Sequence, residues 1–192
     1  MLGKLRRQVA GLFARAAKPL ALLPADVYTV LGLAAALAYL APCSSGKPIA
    51  AAVMLAASGL LDALDGAVAR LRGEAGPRGA FLDSVLDRIT DTVYALGFLL
   101  LGYNPLFVLA FLSGALVTSY TRARYESLTG KSMEGIGLLE RSDRVAAQAL
   151  VLIVHGFTGL DIAEKLYAIL AAASWATVIQ RLAQGIRQLG KK

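Results

Sequence analysis

Four aspartates recur at helical spacing inside an otherwise apolar stretch: Asp62 and Asp65 are three residues apart, Asp83 and Asp87 four apart. Each pair therefore shares one face of a helix. An ionised carboxylate at a helix centre in lipid costs roughly 2.5–3.5 kcal/mol, so four without partners would cost about 10 kcal/mol. Bound divalent metal is the compensation this arrangement suggests. Leu71 to Arg78 contains Gly73, Gly76 and Pro77 and reads as a turn between the two helices. In the resulting antiparallel hairpin the two pairs fall at matching heights, and all four carboxylates meet within about one helical turn. Oxygen ligands in that number suit Mg²⁺ or another hard cation such as Mn²⁺. Arg70 follows Asp65 on the same helix and Arg78 closes the turn, so cationic groups stand at the mouth of the cluster. A pyrophosphate-containing substrate requires that combination of carboxylate-bound metal and arginine. Gly66 and Gly79 permit close approach of a ligand or of the two backbones. A carboxylate beside the metal, free to accept a proton, could serve as general base toward an alcohol.

The elements that must position these groups are membrane helices. The chain of 192 residues is 57% hydrophobic and 17% charged, with mean hydropathy +0.60. That composition predicts an all-α, multi-spanning bundle of one domain and excludes a separate soluble module. Six spans are predicted near 25–41, 48–71, 79–102, 105–127, 143–158 and 161–184. The uncharged run from Thr92 to Thr121 is too long for one span, and Gly102-Tyr103-Asn104-Pro105 divides it. Residues 1–18 place Leu2, Leu5, Val9, Leu12, Phe13 and Ala16 on one stripe with basic residues elsewhere, which predicts an amphipathic surface helix rather than a cleavable signal. The expected organisation is a juxtamembrane helix over 1–18 and a transmembrane domain over 19–192. A net charge of +7 could suggest nucleic acid. The basic residues instead cluster at the ends of apolar segments, which argues against it. With the N-terminus in the cytoplasm, all of the 20 lysines and arginines except Lys47 and Lys165 fall on that side. The aspartates then open to the cytoplasm from a multi-pass protein of the cell membrane. Cys43, the single cysteine, excludes an internal disulfide framework and reads as a small residue in a loop.

The pattern Asp-x2-Asp-Gly-x2-Ala-Arg-x8-Gly-x3-Asp-x3-Asp, filled by Asp62, Asp65, Gly66, Ala69, Arg70, Gly79, Asp83 and Asp87, resembles the motif of the CDP-alcohol phosphatidyltransferases. The resemblance extends over nearly the whole chain. It implies six spans preceded by a surface helix, a homodimer, and transfer of a phosphatidyl-type group from a CDP-linked lipid to an alcohol with release of CMP. It further implies that Asp62, Asp65 and Asp83 hold metal. Asp87 would lie at the metals as general base, and Gly66, Arg70 and Gly79 against the cytidine diphosphate. Thr29 and Gly32 resemble the family's Thr-x2-Gly in the first span, although the Pro-Asn common just before it is Ala25-Asp26 here. Asp91 extends the acidic face by another turn and either tunes the site or pairs with Arg88.

The acceptor is read from arginines. Arg122 and Arg124 end the fourth span, Glu140-Arg141-Ser142-Asp143-Arg144 opens the fifth, and Arg181 lies near the inner end of the last. Guanidinium groups bind phosphate bidentately, so the set suits an acceptor that carries its own phosphate. The stretches around Arg122 and Arg144 resemble those of phosphatidylinositol-phosphate and archaetidylinositol-phosphate synthases. By that resemblance Arg122, Arg124, Arg144 and Arg181 form the pocket for the phosphate of inositol 1-phosphate. Glycerol 3-phosphate would want the same charges, and a cation transporter using intramembrane aspartates is a remoter reading. Ester-linked and ether-linked donor tails fit the apolar composition equally.

Overall fold

The structure is a computed structural model and describes residues 19, 21–133 and 135–190. The expected surface helix over 1–18 lies outside the described residues. Among them the chain is entirely helical: α1 (Ala25–Ala38), α2 (Leu40–Ser44), α3 (Pro48–Arg72), α4 (Pro77–Leu100), α5 (Pro105–Thr129), α6 (Arg141–Thr158) and α7 (Leu160–Leu189). The sequence dictates several of these boundaries. Pro48, Pro77 and Pro105 each stand in the first turn of a helix, where the missing N–H costs nothing. Gly73 and Gly130 end α3 and α5 with φ of 70° and 66°, a left-handed conformation that glycine adopts without strain. At the start of α6, Glu140 and Asp143 form a reciprocal capping box. The span predicted over 25–41 divides at Tyr39 into α1 and α2. Pro42 cannot donate to the carbonyl one turn back, so the helix breaks there. Cys43, expected in a loop, is buried in α2.

Among the described residues four helical stretches are long and apolar enough to cross a membrane: α1 with α2, α3, α5 and α7. The chain is a multi-pass membrane protein. The other two long helices, α4 and α6, carry the charges discussed below, and it is those charges that lower their hydropathy.

The hairpin expected between α3 and α4 is only half present. The turn forms, but the two helices share almost no direct packing: α3 lies against α1 and α6, while α4 lies against α2, α5 and α1. A hydrogen-bond relay holds them at their spacing. The Tyr39 hydroxyl donates to the Tyr94 carbonyl (3.2 Å), the Tyr94 hydroxyl to Ser58 Oγ (2.8 Å), and Ser58 Oγ to the Gly32 carbonyl (2.7 Å). Beneath it, Tyr39 and Tyr94 meet edge to face at 5.8 Å between ring centroids, and Phe98, Tyr103 and Tyr167 fill the adjoining core. The spacing leaves room between the acidic ends of α3 and α4.

Candidate active site

Asp62 and Asp65 lie near the C-terminal end of α3, and Asp83 and Asp87 near the N-terminal end of α4. Asp62, Asp83 and Asp87 each present a carboxylate oxygen within 4.8 Å of the others. The expectation that all four carboxylates gather is met for these three. Asp65, only 6% exposed, lines the same cavity but turns toward α1, where Oδ2 accepts a hydrogen bond from the Thr29 hydroxyl at 2.8 Å. Because α3 and α4 do not pack together, Asp65 finds its nearest partner on α1 instead. Thr29 therefore touches a carboxylate directly. Asp87 Oδ1 is buried against a cation, the Arg141 guanidinium at 2.9 Å. All-oxygen donors from two helices fit a hard divalent ion.

The cluster floors a cavity of about 890 Å³ that is also lined by Thr29, Gly66, Arg70 and Gly79. Each of these was singled out by the sequence. A Cβ on Gly66 would stand 3.4 Å from an Arg70 guanidinium nitrogen, in ordinary contact with it; a Cβ on Gly79 would meet open space. At the rim, Arg72 Nε pairs with Glu74 at 2.6 Å and Arg72 Nη1 donates to the Ala21 carbonyl, while Glu74 accepts from the Ala25 N–H. The Arg72 guanidinium holds the Glu74 carboxyl below its ordinary range, so this clasp between the turn and the start of α1 is ionised.

A second cavity, of about 430 Å³, is lined by Arg122, Arg144 and Arg181 and also by Arg88, Glu126 and Glu140. Arg144 and Arg181 are 2% and 4% exposed. Arg122 Nε is oriented by Glu126 at 3.0 Å, and Arg181 donates to the carbonyls of Ile136 and Thr118. Arg124 is not part of this lining; it is exposed. Two residues along a helix turn a side chain by roughly 200°, so Arg122 and Arg124 cannot share a face. The two cavities share Ala80, Asp83, Asp87, Arg141 and Ser142. The acidic cluster thus sits where they meet.

Arg141 is the central residue that sequence reasoning passed over. It pairs with Asp62 Oδ2 and, at 2.9 Å, with Asp87 Oδ1. It donates to Thr90 Oγ1 at 2.8 Å and lies 3.7 Å from Asp91. Asp91 in turn pairs with Arg144 at 3.4 Å, not with Arg88, which pairs with its neighbour Asp87. A signal existed. The capping box fixes Arg141 and Arg144 three apart on one face of α6, matching Asp87 and Asp91 four apart on α4.

Residues 22–180 match the sequence profile of the CDP-alcohol phosphatidyltransferases. Archaetidylinositol phosphate synthase of Aeropyrum pernix is 43% identical over 157 residues, covering 82% of this chain and 80% of that one. Its counterpart from Pyrococcus horikoshii is 35% identical over 193 residues, 98% of both chains. The crystal structure of Mycobacterium tuberculosis phosphatidylinositol phosphate synthase with CDP-DAG bound superposes with a TM-score of 0.78 at 32% identity, covering 91% of this chain and 93% of that one. A structure of the same enzyme with manganese and citrate gives 0.77, also at 32% identity, covering 88% of each chain. With that profile match and relatives aligned over most of their length, the chain belongs to the CDP-alcohol phosphatidyltransferase family.

Proposed function

We propose that this protein transfers the phosphatidyl-type or archaetidyl group of a CDP-linked lipid to a hydroxyl of inositol 1-phosphate, releasing CMP in phospholipid biosynthesis. The observation that carries the reading is the meeting of two cavities at one acidic cluster. The larger cavity, with Gly66, Arg70, Gly79 and Thr29, takes the donor nucleotide; the smaller, with Arg122, Arg144 and Arg181, takes the acceptor phosphate. Arg124, exposed on another face of α5, stands outside that pocket. Relatives named archaetidylinositol phosphate synthase support the choice of acceptor.

Asp62, Asp65, Asp83 and Asp87 would hold Mg²⁺ or Mn²⁺, which when bound neutralises charge on the diphosphate oxygens. The chain's own residues do the rest. Arg70 pairs with the nucleotide phosphates, and the absence of a side chain at Gly79 lets the nucleotide lie close to α4. Arg144 and Arg181 hold the acceptor so that its hydroxyl faces the cluster. Asp87 accepts the hydroxyl proton as that oxygen bonds to the lipid-bearing phosphorus. The bond from that phosphorus to the bridging oxygen breaks, and its electron pair leaves with CMP.

We further propose six spans, counting α4 and α6 with the four apolar stretches, and a homodimer; the bias of basic residues toward one side supports a cytoplasmic position for this face. An ion path finds less support. On the opposite side, Asp161 pairs with Lys165 and Glu164 accepts from the Asn104 N–H.

The test supplies purified protein with CDP-lipid, Mg²⁺ and one labelled acceptor at a time. Labelled lipid and CMP are expected from inositol 1-phosphate. Product from glycerol 3-phosphate alone would reassign the acceptor, and product only from serine or free inositol would end the reading.

A further inference from the structure

Arg141 is placed as no ordinary phosphate ligand would be. Its guanidinium spans the two helices that contribute carboxylates, contacting Asp62 on α3 and Asp87 on α4, with Asp91 at 3.7 Å behind them. The same two carboxylates are among the three whose oxygens converge within 4.8 Å. One cation and a divalent ion therefore draw on the same two carboxylates. Each carboxylate's negative charge and orientation are shared between the two, so close ion pairing with Arg141 weakens coordination of a metal. They also oppose each other electrostatically, as positive charges a few ångströms apart.

Building on the metal reading above, we infer that Arg141 is an internal counter-cation of the acidic cluster, exchanging with the divalent ion for Asp62 and Asp87 and so weakening metal affinity. Arg141 keeps the carboxylates of α3 and α4 from repelling one another, which matters because those helices have little packing of their own. The metal takes over that task when it binds. Two contacts keep the guanidinium beside the cluster during the exchange, the Thr90 hydroxyl at 2.8 Å and Asp91, and the capping box fixes the first turn of α6 that carries it. Arg141 is a positioning residue in this account, acting through the carboxylates.

The inference makes a counter-intuitive demand: removing a buried positive charge from the site strengthens binding of a positive ion. Mn²⁺ titration of the purified, detergent-solubilised full chain, read by the electron-spin resonance of free Mn²⁺ with no substrate present, tests it. R141Q is expected to bind Mn²⁺ at least about fivefold more tightly than the unaltered chain, within the ordinary range of site-to-site coupling. R141K, which keeps the charge on a different geometry, is expected to fall between them and serves where R141Q does not accumulate. Thermal midpoints supply a readout that a merely structural role would not reproduce: R141Q melts below the unaltered chain in EDTA and regains most of the difference in saturating Mn²⁺. Equal or weaker Mn²⁺ binding by both variants, or a melting deficit that Mn²⁺ leaves untouched, overturns the inference. An unaltered chain that binds no Mn²⁺ at all would overturn the metal reading beneath it, a distinct result.

Discussion

Asp87 and Arg144 lie one helix apart and are assigned different steps, so their substitutions separate on kinetics. Asp87 Oδ1 is buried at the junction of the two cavities, with the Arg141 guanidinium 2.9 Å away. Asp87→Asn preserves shape but accepts a proton poorly. Loss of a positioned base costs about 10²- to 10⁴-fold, and CMP release by Asp87→Asn is expected to fall at least that far; turnover near that of the unaltered chain would refute the assignment. Arg144 touches Asp91 and the smaller cavity but none of the converging carboxylates. Arg144→Ala is therefore expected to raise KM for the acceptor with little change in donor KM, because it removes binding made equally in ground and transition states. Arg124→Ala, at an exposed position on another face, is expected to have a smaller effect. Initial rates over a matrix of donor and acceptor concentrations check both.

At the scale of elements, the sequence disclosed α3 to α7 nearly to their ends, though not the break between α1 and α2, and where each aspartate stands along them. It did not disclose how α3 and α4 sit relative to each other. Short connections favour direct antiparallel packing, and the apolar stripes offered nothing against it. The competing facts are tertiary: Tyr39 wedges against Gly97 of α4, and α6 fills the place beside α3. That displacement is why Asp65 faces Thr29 and why Arg141, on α6, reaches a cluster that seemed to belong to α3 and α4 alone. The acceptor arginines were legible in part, since charge at a span end is also what membrane topology demands, and face could not be told from end. Glycines give this account its test. A Cβ on Gly97 would collide with the Tyr39 ring, whereas one on Gly79 would meet nothing within 4 Å. Gly97→Ala is expected to destabilise by about 1–3 kcal/mol, lowering the midpoint of thermal unfolding by roughly 2–4 °C per kcal/mol. Gly79→Ala leaves the midpoint in place and raises donor KM. Melting curves and donor titrations on the two variants distinguish packing from ligand space.

For the molecule as a whole, charge asymmetry and site position make one claim. Both cavities take their polar lining from the ends of α3, α4, α5, α6 and α7 that carry the arginines, while the opposite ends carry Lys47, Lys165 and little else that is basic. If insertion follows the positive-inside bias, water-soluble substrates reach the site from the cytoplasm. Cys43 is buried and is the only cysteine, so single reporters can be added over a quiet background. Lys131→Cys, in the exposed segment between α5 and α6, and Lys165→Cys, exposed on the first turns of α7, stand on opposite faces. In intact cells a membrane-impermeant maleimide is expected to label position 165 and to spare position 131 until the membrane is permeabilised. The reverse pattern would turn the site outward and would contradict the topology on which cytoplasmic catalysis depends.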